Sequence, residues 1–271
     1  MFQIWLNTLP LLLGLGLLGW WISARRNDVG IVDSLWGLFF LLALIGYQFA
    51  DMNDGGLSNA TQGLARDMII GTLVLIWSMR LSAHITLRNH GKPEDRRYRE
   101  IRERNEPNFR LKSLYLVFGL QAVLAWLISA PLLAAIQPGV DANEIPAFNW
   151  LDVFGIGLWL IGFAFESISD AQLARFQADP KSEGKVMDQG LWRYSRHPNY
   201  FGEFCIWWGY FLIAAAAGGW WTIFAPIIMT ILLLRVSGVH LMETGMDSRR
   251  PGYADYVRRT SAFFPAPPKQ A

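Results

Sequence analysis

Leu114-Tyr115-Leu116-Val117-Phe118-Gly119-Leu120-Gln121-Ala122-Val123-Leu124-Ala125-Trp126-Leu127-Ile128-Ser129-Ala130-Pro131-Leu132-Leu133-Ala134-Ala135 runs for 22 residues without a charge. A bilayer core of about 30 Å takes roughly 20 apolar residues to cross as a helix. This stretch has that length, and six others along the chain approach it. Upstream lie Ile4–Ile22, Ile31–Phe49 and Met68–His84. Downstream lie Val153–Asp170, Tyr200–Ala217 and Trp220–Leu234. The expected fold is an all-α integral membrane protein of about seven transmembrane helices, forming a single polytopic domain over residues 1–271.

Composition agrees. Of 271 residues, 52% are hydrophobic and 17% charged, with thirteen Trp and seventeen Phe; a soluble domain carries about 25% charged residues. The apolar content excludes a disordered chain, and the single cysteine, Cys205, excludes a disulfide scaffold. A net charge of +2 gives no nucleic-acid footprint. The first span has no basic residue before it and a long apolar run, unlike a secretory signal.

Lys and Arg in short loops set the orientation of a membrane protein. Arg25 and Arg26 follow the first span, and nine basic residues from Arg88 to Lys112 follow the third. Arg175, Lys181, Lys185, Arg193 and Arg196 follow the fifth; Arg249, Arg250, Arg258, Arg259 and Lys269 follow the seventh. The remaining loops carry Asp51, Asp54, Asp141 and Glu144 against Arg66. With seven spans every basic loop falls on one side, which places the N-terminus outside and the C-terminus in the cytoplasm.

Ionisable residues within spans are costly and mark function. Asp33 opens the second span, Arg80 and His84 lie one turn apart in the third, and Glu166 and Asp170 one turn apart in the fifth. Glu203 opens the sixth and Arg235 closes the seventh. In the expected topology all lie toward the cytoplasmic end, as a polar pocket floored by apolar helices. The bland reading for Arg80, Glu203 and Arg235 is snorkelling to the interface. It is weaker for the shorter side chains of Glu166 and Asp170.

The densest polar segment is Gly190-Leu191-Trp192-Arg193-Tyr194-Ser195-Arg196-His197-Pro198-Asn199-Tyr200-Phe201-Gly202-Glu203. Arg193 and Arg196 offer forked donors for phosphate or carboxylate, and His197 donates or accepts near neutral pH. A helix beginning near Pro198 puts Asn199 and Glu203 one turn apart. A plain basic membrane anchor, the alternative, does not call for the interleaved Tyr194, His197, Asn199 and Glu203.

This segment resembles the signature of the steroid 5-alpha-reductase-like membrane proteins, in their bacterial DUF1295 branch. Ser169-Asp170 resembles the family's Ser-Asp element, and Asn89-His90-Gly91-Lys92-Pro93 its Asn-x-Gly-Arg/Lys-Pro loop. The tail Arg250-Pro251-Gly252-Tyr253-Ala254-Asp255-Tyr256, with Arg259-Thr260 and Phe264-Pro265, also fits. The resemblance covers residues 80–271 and is weak over the first spans, residues 1–79. It implies an NADPH-dependent oxidoreductase acting on CH-CH donors, reducing an activated C=C bond of a sterol- or isoprenoid-like lipid drawn from the bilayer. It further implies a bacterial inner-membrane location with the cofactor site facing the cytoplasm. Asp170, Asn199, Glu203, Arg235, Asn89 and Lys92 would position NADPH, and Arg80 and His84 would lie near its nicotinamide or phosphates. Arg193, Tyr194, Arg196 and His197 complete the expected cofactor set. The chain departs from the steroid enzymes at the substrate end: Asp33 stands where a Gln-Glu pair is usual, and Trp77 where a Tyr is. Asp33 and His84 are then the expected catalytic residues.

Two other readings share part of this pattern. Membrane methyltransferases of the isoprenylcysteine and phospholipid type have an Arg-His-Pro-x-Tyr core and bind S-adenosylmethionine. A non-catalytic lipid-binding protein of the same fold is the other. Gly14-Leu15-Gly16-Leu17-Leu18-Gly19 imitates a dinucleotide loop but lies within a span, so helix packing is its expected role. Cys205 reads as a small buried apolar residue. His84, His90, His197 and His240 are too dispersed for a metal site.

Overall fold

The computed structural model describes residues 1–53, 61–137, 147–236, 243 and 250–269. Asp54, Asp141, Glu144, His240 and Arg249 lie outside the described residues. The described residues form helices and no strand: α1 (Phe2–Arg26), α2 (Ile31–Asn53), α3 (Thr61–Asn89), α4 (Arg96–Asn105), α5 (Phe109–Ile136), α6 (Trp150–Ala178), α7 (Pro198–Ala216), α8 (Trp220–Arg235) and α9 (Tyr253–Arg259). Five of these are long and apolar enough to cross a membrane, namely α1, α2, α3, α5 and α6. The sixth expected span forms α7, 19 residues rich in Trp, Tyr and Phe. The seventh forms α8, which is too short for that criterion: its 16 residues reach only about 24 Å at 1.5 Å each.

Helix ends extend past the expected apolar limits because polar residues continue the backbone ladder into the flanks. Thus α1 continues through Arg25 and Arg26, whose charges suit the helix C-terminus, and stops at Asn27 in the left-handed conformation (φ 53°). In α5, residues Leu114–Gly119 adopt a π turn, and a second break falls at Ser129, ahead of Pro131.

The chain groups into two compact units. The first comprises Met1–Asn149 with Ile213–Thr222, and the second Trp150–Leu212 with Ile223–Ala271. In the first, α1, α2, α3 and α5 pack together. Gly16 and Gly19 bring α1 against Phe118: a Cβ on Gly16 would lie 3.3 Å from the Phe118 carbonyl, and one on Gly19 3.2 Å from its ring. Gly14 faces open space, so two of the three glycines have the expected packing role. Trp5 and Trp126 stack at 4.4 Å, and each indole N–H donates to the other's backbone carbonyl. Trp77 is fully buried against Phe40, a core residue of α3.

In the second unit, glycines set the approach of α6 and α7. A Cβ on Gly162 would sit 2.5 Å from the Gly202 carbonyl, one on Gly202 2.6 Å from the Gly162 carbonyl, and one on Gly209 2.7 Å from the Gly155 carbonyl. Gly155 and Gly162 are seven residues apart, as are Gly202 and Gly209, so each pair returns to one helix face after two turns. Backbones meet here without side chains between them, the closest packing helices achieve.

Candidate functional site

The glycine contact fixes what lies beyond it on both helices. Glu166 and Asp170 follow Gly162 along α6, and both are buried. Asn199 precedes Gly202 in the first turn of α7, and its amide donates to the Asp170 carboxylate at 3.3 Å. Glu203 follows one turn after Asn199 and is half-buried. The helix begins at Pro198, as the sequence implies, with the Ser195 hydroxyl accepting from the His197 backbone N–H at 3.1 Å. The result is an amide and carboxylates on adjoining helix turns, a set that can bind ribose hydroxyls or a carboxamide.

The segment ahead of α7 is fixed from two directions. On α6, Gln172 accepts from the Leu191 N–H at 3.0 Å, and the Ser169 carbonyl accepts from the Trp192 indole at 3.1 Å. Gly190 has φ 59°, and a Cβ there would lie 2.4 Å from the Gln172 amide. The tail after α8 holds the other side. The Arg196 N–H donates to Ser261 at 2.8 Å, the Ser195 hydroxyl to Phe263 at 2.7 Å, the Tyr256 hydroxyl to Trp192 at 2.5 Å, and the Ala266 N–H to Tyr194 at 3.0 Å.

Arg196 and His197 are spent within this architecture. The Arg196 guanidinium binds both Glu243 carboxylate oxygens, at 2.8 and 3.1 Å, and the Thr260 and Val257 carbonyls. Its side chain is 9% exposed. His197 Nε2 lies 3.0 Å from the same carboxylate, and its ring stacks on Tyr200. Burial alone would raise the Glu243 carboxyl, but His197 and Arg196 outweigh it and hold it at about 2. Sequence reading missed Glu243. Its one available signal was being the first carboxylate after Arg235. Arg193 and Tyr194 are exposed, and Arg193 lines a cavity with the tail residues Arg259 and Lys269. Arg235 is exposed at the end of α8.

In the first unit, Asp33 accepts from Arg97 at 2.9 Å and from the Tyr98 hydroxyl at 2.5 Å. Tyr98 is buried among Val29, Val32, Phe109, Val117 and Phe118. Burial and the Asp33 charge together push its phenol well above the usual range. The same α4 segment is tied to the turn between α1 and α2. Glu94 accepts from the Val29 N–H at 2.8 Å and from Arg102 at 2.8 Å. Asp33 therefore anchors this segment, through partners that sequence reading did not identify. Arg80 and His84 sit one turn apart on α3, both partly buried. Asn89 accepts from the Arg88 guanidinium at 3.2 Å, and Lys92 is exposed.

A family model described as a protein of unknown function, DUF1295, matches residues 19–260. An uncharacterized protein of Schizosaccharomyces pombe is 26% identical over 296 residues, an alignment covering 96% of this chain and 80% of the relative. No solved structure matches the chain.

Proposed function

We propose, from the premise that the chain belongs to the DUF1295 family, a membrane-embedded NADPH-dependent reductase of an activated C=C bond in a hydrophobic lipid. The observation that carries this reading is the pairing of Asn199 with Asp170 at 3.3 Å, with Glu203 one turn further along α7. The resemblance to steroid 5-alpha-reductase-like proteins supplies the chemistry. It also implies seven helices around a pocket facing the cytoplasm of a bacterial inner membrane, and the placement of Lys and Arg in the loops supplies the orientation, N-terminus outside.

The residues present suit a dinucleotide. Asp170 and Glu203 accept from hydroxyls, and Asn199 both donates and accepts. Arg80, Asn89, Lys92 and Arg235 keep the roles the resemblance gives them. Arg196 and His197 act indirectly, by holding the start of α7 in place. NADPH, when bound, supplies a hydride. The protein's task is to stabilise charge developing on the enone oxygen and to return one proton to the neighbouring carbon. His84 is the residue we assign to the proton. Asp33, already bound by Arg97 and Tyr98, is assigned to positioning.

Titration of the purified full-length protein with NADPH tests the reading. Asn199→Ala and Glu203→Gln should each weaken binding by about tenfold or more, the loss expected for one hydrogen bond to a charged group. Undiminished affinity in both variants, or tighter binding of S-adenosylmethionine than of NADPH, would refute it.

A further inference from the structure

We propose that the cavity between the Gly190 turn and the C-terminal tail is a binding site for an anionic phosphate group. The cavity has a volume of about 560 Å³. Three cations line it, Arg193, Arg259 and Lys269, against one carboxylate, Asp188. Asp188 is already paired with Arg259, so two positive charges remain uncompensated in the lining. The Arg259 Nε is buried and makes no hydrogen bond among the described residues. A buried donor without a partner is costly. Among the described residues nothing engages the exposed Arg193 guanidinium by hydrogen bond or ion pair.

The chemistry of these side chains favours phosphate. The Arg193 guanidinium fork binds a tetrahedral oxyanion in paired hydrogen bonds, and the Lys269 ammonium adds a point charge. The tail is held in the shape that creates the cavity: the Lys269 N–H donates to the Arg259 carbonyl at 2.9 Å. The cavity is far larger than a single ion needs, given about 30 Å³ for a water. It suits a phosphate carried on a larger body. Next to Arg193 in the chain, Tyr194 is 44% accessible, and Phe264, in the same tail as Lys269, is 58% accessible. Exposed aromatics next to cations are the pattern of a membrane interface, so the phosphate has two sources to separate: a lipid headgroup or a soluble phosphate.

The site stands without the NADPH reading, because only Arg193 in its lining, with the adjoining Tyr194, is common to the two residue sets. The experiment measures binding to the full-length protein in detergent with two probes, dihexanoyl phosphatidylglycerol and inorganic pyrophosphate. Wild-type, Arg193→Gln and Lys269→Ala proteins are compared, with Asn199→Ala as the variant that separates this site from the cofactor. At least one probe should bind, and both Arg193→Gln and Lys269→Ala should lower its affinity about fivefold or more. Asn199→Ala should leave it unchanged. Phosphatidylglycerol as the tighter probe identifies a lipid phosphate, and pyrophosphate a soluble one. Failure of both probes to bind overturns the proposal. So does wild-type affinity in both cation variants, or dihexanoyl phosphatidylcholine binding as well as phosphatidylglycerol.

Discussion

Replacing Gly202 with alanine probes the contact on which the candidate site depends. The added Cβ would lie 2.6 Å from the Glu166 N–H nitrogen and the Gly162 carbonyl oxygen, and 2.8 Å from the Glu166 Cβ. Ordinary contact begins at 3.4 Å, so the two backbones must part by about 0.8 Å (3.4 − 2.6). No flexible side chain can absorb this, because backbone atoms are the obstacle. Asn199 lies three residues earlier, with its amide already 3.3 Å from Asp170, and a shift of that size takes the pair out of hydrogen-bond range. Overpacking costs ~1–3 kcal/mol, and losing the hydrogen bond adds about 1 kcal/mol. The better helix propensity of alanine returns ~0.5–1 kcal/mol, leaving a net loss of ~1–3 kcal/mol by these figures. At ~2–4 °C per kcal/mol for a chain of this size, thermal unfolding in detergent should shift down by about 2–12 °C. On the proposed function, NADPH affinity should fall with it. Gly157→Ala is the control: it lies on the same α6, and its Cβ would meet nothing within 4 Å. Equal melting temperatures for Gly202→Ala and Gly157→Ala would refute the account of the helix contact.

Two more perturbations follow from the hydrogen bonds and charges described above. Tyr98→Phe removes a buried donor to Asp33 and should cost ~1–3 kcal/mol of stability. A variant with unchanged melting temperature but altered turnover would instead place Asp33 in the chemistry. For Glu243, a carboxyl lowered from 4.5 to about 2 in the fold stabilises the protein fully above pH 4.5 and loses that contribution as pH falls toward 2. Thermal stability measured across that window should fall less steeply in Glu243→Gln. An identical acid limb in the variant would show that the carboxylate is not held by Arg196 and His197.

The helices of the first unit were legible because each apolar run is long and carries at most one acidic or basic residue besides histidine. Their ends were not, because residues such as Arg26 and Asn89 prolong a helix without adding to its apolar pattern. The start of α7 at Pro198 could be read from local turn chemistry, and Asn199 and Glu203 came with it. The use of Arg196 could not: its partner lies 47 residues later and leaves no periodic trace. Asp33 is a similar case, met by Arg97 and Tyr98 across 64 and 65 residues. The sequence shows that an arginine or an aspartate is present in a polar segment. It does not show whether a neighbour has already claimed it, and that separates a ligand-binding charge from a structural one.

The hold of the tail on the segment before α7 has a consequence for how the protein is made. Ser195 is anchored by the Phe263 carbonyl, 68 residues further along, and the Trp192 carbonyl by Tyr256, 64 residues further. A ribosome delivers α6, the Gly190 turn and α7 well before those partners exist. The nascent chain can therefore insert these helices while the stretch from Trp192 to His197 still lacks half of its backbone anchors. Completion of the site is a late event of biosynthesis, governed by the arrival of α9 and the residues behind it. A translation stop between α8 and α9 would leave helices α1 to α8 made and the site without its tail anchors.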